Sequence, residues 1–174
     1  MNPRLVPSST ARSVRLVLTF ALGLLLALAC LSAFGTDAQA VSNTDRFRFS
    51  SDLCVSERAQ IYEWSRDGRL YGQSVTRPLR GDCSTPLSAP PGYVWGEVAV
   101  EKWDPYYGRY LYCDGAEWYN SSWTSRHVVY EDLGRRYQRT CGPGWYRTWA
   151  RGSVWAYGGW RNTPWVYSGE ARFR

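Results

Sequence analysis

From residue 59 onward, apolar and polar side chains alternate in short runs, and each run stops at a cluster of Gly, Pro, Asp or Asn. A period of two bounded by turn residues predicts half-buried β-strands. Residues 59–64 and 69–75 flank Asp67-Gly68 and read as a hairpin, because Asp-Gly tolerates the positive φ angles of a tight turn. Residues 77–92 are a turn-rich connection. Residues 93–103 carry the cleanest alternation: Val94, Gly96, Val98 and Val100 on one face, Trp95, Glu97, Ala99 and Glu101 on the other. Asp104-Pro105 ends that strand. A second hairpin is expected over 109–113 and 116–120 around Asp114-Gly115, with Leu111 and Cys113 on one buried face.

Further strands are expected at 126–130, 136–140, 145–151 and 153–157, the last ending in a Gly158-Gly159 turn, and at 165–167 and 171–173. No stretch shows the 3.6-residue period of an amphipathic helix free of Gly and Pro. Roughly eight to eleven short strands predict an all-β fold, a small antiparallel β-sandwich or a Greek-key-like barrel.

The first forty residues break this pattern. Arg4, Arg12 and Arg15 precede a mostly apolar run over 16–31, and the run leads to Ala38-Gln39-Ala40. A basic start, an apolar middle and a small-x-small site are the three parts of a secretory signal peptide, here 1–40 with cleavage after Ala40. An uncleaved anchor and a lipoprotein attached at Cys30 are the rival readings. The anchor needs about 20 apolar residues, and Thr19, Gly23 and Ser32 interrupt this run. Residues 41–174 then form the exported chain, expected as one aromatic-rich domain, with near-equal cysteine spacing hinting at two pseudo-halves near 41–105 and 106–174.

The signal also resolves the odd cysteine count. Of five cysteines, cleavage removes Cys30 and leaves Cys54, Cys83, Cys113 and Cys141. An even number in an exported domain predicts two disulfides, with three possible pairings. There is no closely spaced cysteine pair and His127 is the sole imidazole, so no metal site and no cofactor are expected.

Composition then changes the picture of the core. The chain holds 10 Trp and 13 Tyr, and isoleucine occurs only at position 61. Such rings can supply the core that aliphatics do not, and those left over reach the surface. Trp145, Trp149, Trp155, Trp160 and Trp165 form the densest group and are the candidate binding residues. Trp and Tyr stack on sugars and, with Arg, dominate protein interfaces. The formal net charge of +6 falls to about +4 once the signal is removed, with the arginines spread among acids. That distribution lacks the concentrated stripe of a nucleic-acid binder, so no nucleic acid is expected as partner. Membrane contact is expected only in transit.

Catalytic signals are sparse. His127 has Ser121, Ser122 and Ser125 nearby but no G-x-S-x-G elbow. Glu97 and Glu101 share a strand face with Trp95 and Trp103, a layout compatible either with sugar hydrolysis or with the solvent side of a strand. Asn120-Ser121-Ser122 matches the N-glycosylation triplet. The sequence is therefore read as a secreted, non-catalytic binding protein whose partner is an extracellular protein or a surface polysaccharide. An inhibitor or toxin-like effector, with a rigid loop near 86–92, and a small hydrolase are the alternatives.

Overall fold

A computed structural model describes residues 40–64, 68–135 and 141–173. They form ten strands: β1 (Ala40–Arg48), β2 (Cys54–Trp64), β3 (Arg69–Leu79), β4 (Val94–Asp104), β5 (Arg109–Tyr119), β6 (His127–Arg135), β7 (Gly144–Ala156), β8 (Gly159–Asn162), β9 (Val166–Tyr167) and β10 (Ala171–Phe173). The strands build two antiparallel sheets. One has the order β1-β2-β3-β6; the other has β10-β7-β4-β5, with β8 and β9 also paired to β7. The fold is thus all-β, as the alternation predicts, and β2 and β3 pair in the expected hairpin from Trp64↔Arg69 to Cys54↔Leu79. Each sheet draws strands from both sides of residue 105, so the suggested pseudo-halves do not form separate units.

Three expectations need correction. Asp114-Gly115 is not a turn. β5 runs straight through it, and β4 and β5 turn at residues 105–108 instead. Val100 faces Asp114 while Glu101 faces Tyr112, so Cys113 is the extra residue of a bulge. Gly115 is needed for closeness rather than for φ: a Cβ there would lie 2.7 Å from the Val98 carbonyl oxygen. The strands expected at 145–151 and 153–157 are likewise one continuous β7, because Gly152 fits a tight inner contact rather than breaking the strand. The following turn uses Tyr157 and Gly158, both at positive φ (53° and 74°), with Gly159 already paired to Ala156. β1 carries too little alternation to have been expected. The strand expected at 136–140 lies outside the described residues.

The third correction concerns the core. The buried apolar residues are mostly valine, leucine and alanine; among the described aromatics only Tyr146 and Phe173 are buried to this degree. The reason is the narrow gap between the sheets. Gly72, Gly96 and Gly152 face inward, where an added Cβ would come within 2.3 Å of Val100, 2.8 Å of Val129 and 2.3 Å of Glu57, respectively. A gap this tight takes Val and Ala and turns most large rings outward. Ile61, Leu70, Val100, Leu133, Tyr146, Ala171 and Phe173 form the main cluster, against which Cys113 and Cys141 pack.

Of the three pairings open to the four cysteines, the structure has Cys54–Cys83 and Cys113–Cys141, with Cα–Cα distances of 5.2 and 6.1 Å. Two such bridges belong to an oxidising compartment of the extracellular type. Among the described residues no helix is long and apolar enough to cross a membrane.

Candidate functional site

Alternation along β4, β5 and β7 sends every second side chain to the outer face of the second sheet. On β7 these are Trp145, Arg147, Trp149, Arg151, Ser153 and Trp155. On β4 they are Trp95, Glu97, Ala99, Glu101 and Trp103, and the β5 residues opposite them are Tyr119, Glu117, Gly115, Tyr112 and Tyr110. The bulge at Cys113 keeps both halves of β5 in phase with this face.

The charges on this face are ordered by the rings. Arg151 reaches Glu97 at 2.9 Å and Arg147 reaches Glu101 at 2.7 Å. Each guanidinium lies between two aromatic rings: Arg151 between Trp165 (4.2 Å to the centroid) and Trp95 (5.2 Å), Arg147 between Tyr110 (4.2 Å) and Tyr167 (4.9 Å). Such cation–π contacts are worth about 0.5–1 kcal/mol each at exposed sites. They hold rings and guanidinia in fixed, alternating order. Burial and a hydrogen bond with Glu170 push the Tyr110 hydroxyl up, so it stays protonated.

The five candidate tryptophans are close to this system. Trp149 and Trp165 meet edge to face at 4.2 Å, and Trp155 and Trp160 at 5.6 Å across the β7–β8 pair. Trp160 continues to Tyr119 at 5.7 Å. Trp145 stands further along β7, opposite Arg172 of β10, and has none of these ring contacts. Trp145, Trp155 and Trp165 are exposed, while Trp149 and Trp160 are half-buried. Tyr110, Tyr112, Tyr119, Tyr167, Arg147 and Arg151 were not singled out in the sequence. The spacing Trp145-x-Arg147-x-Trp149-x-Arg151 was the available signal; the false break at Asp114-Gly115 hid the β5 contribution.

At the middle of the platform the outer face dips. Ala99 and Gly115 sit opposite one another as the floor, and Tyr112, Trp149, Glu97 and Glu117 line the sides. The depression has a volume of ≈ 300 Å³. Its small floor residues leave room that any larger side chain would fill.

The other candidates find structural roles. His127 Nε2 donates to the Trp118 carbonyl at 2.8 Å, burial holds its pKa below the ordinary value, and no serine hydroxyl is among its hydrogen-bond partners in the described residues. Asn120 of the glycosylation triplet is buried: its Oδ1 accepts from Val94 N at 2.8 Å and its Nδ2 donates to the carbonyls of Pro90 (2.7 Å) and Ser122 (2.8 Å). An amide used this way clamps the folded chain. Residues 86–92 do not project as a free loop, since Leu87 N bonds Pro78 O and Ala89 exchanges both backbone bonds with Thr124.

One buried carboxyl stands apart from the platform. Glu57 of β2 points between the sheets, where Ser74 and Thr76 hydroxyls each donate to it at 2.7 Å. Burial outweighs these donors and raises its pKa from 4.5 to about 7. No family model, no curated protein and no solved structure matches the chain.

Proposed function

We propose that the protein is a secreted, non-catalytic binding protein that holds a surface polysaccharide on the outer face of β4, β5 and β7. The observation that carries this reading is the fixed row of rings and guanidinia on that face, interrupted by one depression with room for a sugar ring. Flat rings stack on the apolar faces of sugars, and the neighbouring carboxylates and guanidinia supply hydrogen bonds to hydroxyls. Because the arginines are already clamped by Glu97 and Glu101, little side-chain entropy is lost when a ligand arrives. Glu97 and Glu101 are held as arginine partners, which suits binding better than acid–base chemistry.

Export is supported by the basic-apolar-small pattern of residues 1–40 and by the two disulfides. Protein recovered from the medium should begin at Val41 and carry no free thiol at Cys54, Cys83, Cys113 or Cys141. A chain still starting at Met1 would remove the export half of the proposal. The binding half is tested by titrating soluble polysaccharides and following tryptophan fluorescence. Trp149→Ala and Trp165→Ala should each weaken binding about tenfold, the scale of a ring at an interface centre. Unchanged affinity in both variants would refute it.

An extracellular protein partner is the second reading, favoured by the β4–β5 turn. Tyr106 and Tyr107 stand there 87% and 60% exposed, and Asp104 accepts from both of their amides. Such a preorganised aromatic tip is suited to a partner's pocket. Tyr106→Ala with Tyr107→Ala separates the two readings, since it should leave polysaccharide binding intact.

A further inference from the structure

The depression in the platform differs in charge from its surroundings. Glu97 and Glu117 lie directly opposite one another on β4 and β5. Like charges in that relation destabilise a sheet. Arg151 meets Glu97 from the β7 side, but Glu117 has no ion-pair partner among the described residues. All this occurs in a chain of net charge +6. Above the floor, the rings of Tyr112 and Trp149 form two walls. The missing Cβ at Gly115 lets the Tyr112 hydroxyl lie low over the floor, since a Cβ there would be 3.1 Å from that oxygen.

Aromatic walls and carboxylates around one hexose-sized space select a particular ligand group. An ammonium gains from both, through the faces of the rings and through ion pairing. A neutral sugar gains only the stacking, and an anionic one is repelled. We propose that this depression is the subsite for a sugar unit bearing a protonated free amine, so that the polysaccharide held on the platform contains unacetylated hexosamine. The inference rests on the polysaccharide reading above. A polymer is favoured over a single lysine side chain because the rings do not stop at the depression. Trp165 adjoins Trp149, and Trp155, Trp160 and Tyr119 extend the surface along the sheet, where further sugar units would lie.

The test compares three oligosaccharides of one linkage and length: β-1,4-glucosamine, its N-acetylated form and the corresponding glucose oligomer. The exported chain is titrated with each by calorimetry, at a pH where the amine is charged and surface carboxylates are ionised. The glucosamine oligomer should bind about tenfold tighter than either neutral one. Glu117→Gln, a change at an exposed position, should lower that preference about fivefold. Tyr112→Ala should weaken all three. Equal affinity for the three oligomers would overturn the amine subsite while leaving the polysaccharide reading in place. Binding of none of them, or of a lysine-rich peptide alone, would overturn both.

Discussion

Small residues occupy both faces of the sheet built on β4 and β7, and they serve opposite purposes on the two. On the inner face, Gly96 and Gly152 admit side chains of the facing sheet: Val129 and His127 approach the first, Glu57 and Thr76 the second. There the missing Cβ is occupied by a neighbour, and the two sheets close tightly. On the outer face, Ala99 is 2% exposed and Gly115 lies under the Tyr112 hydroxyl, and the depression opens between Tyr112 and Trp149. The same economy of volume produces a seal on one side and a depression on the other. Changes on the inner face should therefore move stability, and changes on the outer face should move binding.

Gly152→Ala gives the largest expected effect. The new methyl would lie 2.3 Å from Glu57 Oε2 and 2.5 Å from Thr76 in a region with no room to yield. Urea unfolding should show a loss of about 3 kcal/mol, the upper end of overpacking. A neutral result would mean that the sheets are not held at this spacing.

Glu57→Gln comes next and is read through pH. In the folded chain burial pushes the pKa of this carboxyl up to about 7 from 4.5. Between those values the unfolded chain has released its proton and the folded chain has kept it, so stability falls as pH rises. The total fall is about 3 kcal/mol, with plateaus on either side. His127, held below its ordinary 6.5 by burial, contributes the opposite slope as pH rises through that region, and Glu131, raised by burial, adds to the fall. The readout is therefore the difference between wild type and variant, which removes both contributions. Identical pH profiles would show that Glu57 is not buried between the sheets.

Gly115→Ala tests the outer face at its most constrained point. The Val98 carbonyl oxygen would be 2.7 Å from the new methyl, so a stability loss of about 1 kcal/mol is expected together with a weakened glycan titration. Trp149→Ala should have the smallest effect on folding, below about 1 kcal/mol by urea unfolding, because its ring stands on the solvent side of the sheet. Its effect on binding should be the larger one. If Trp149→Ala unfolds the protein while Gly152→Ala does not, the contrast between the two faces is wrong.

Two Asp-Gly pairs show how much of this was legible in the chain. The pair at 67–68 and the pair at 114–115 both sit between alternating runs, and both read as turns. Gly68 has φ 65°, donates its amide to Trp64 O at 2.8 Å and closes the β2–β3 hairpin. Gly115 lies inside a strand, beside a bulge. Local sequence supports either outcome, and the choice fell to pairing: β4 offers an 11-residue partner whose full length β5 can follow only by running through Asp114-Gly115. The same limit applies to Gly152, which reads as a break between two strands until β2 and β3 are placed beneath it. The four cysteines were legible as bridge-formers, but their pairing was not.

The sequence by itself determined the all-β class, the strand alternation of β2, β3 and β4, and an export-like front end, because period-two patterning and turn residues act over a few positions. It also marked the tryptophans as unusual. Only the tertiary structure decided where the rings go. Three inward glycines narrow the gap between the sheets, so volume that composition would assign to the core is expelled to the outer face. There the β4–β5 hairpin and β7, which follows it only after β6, align their rings, arginines and carboxylates into one surface around Ala99 and Gly115.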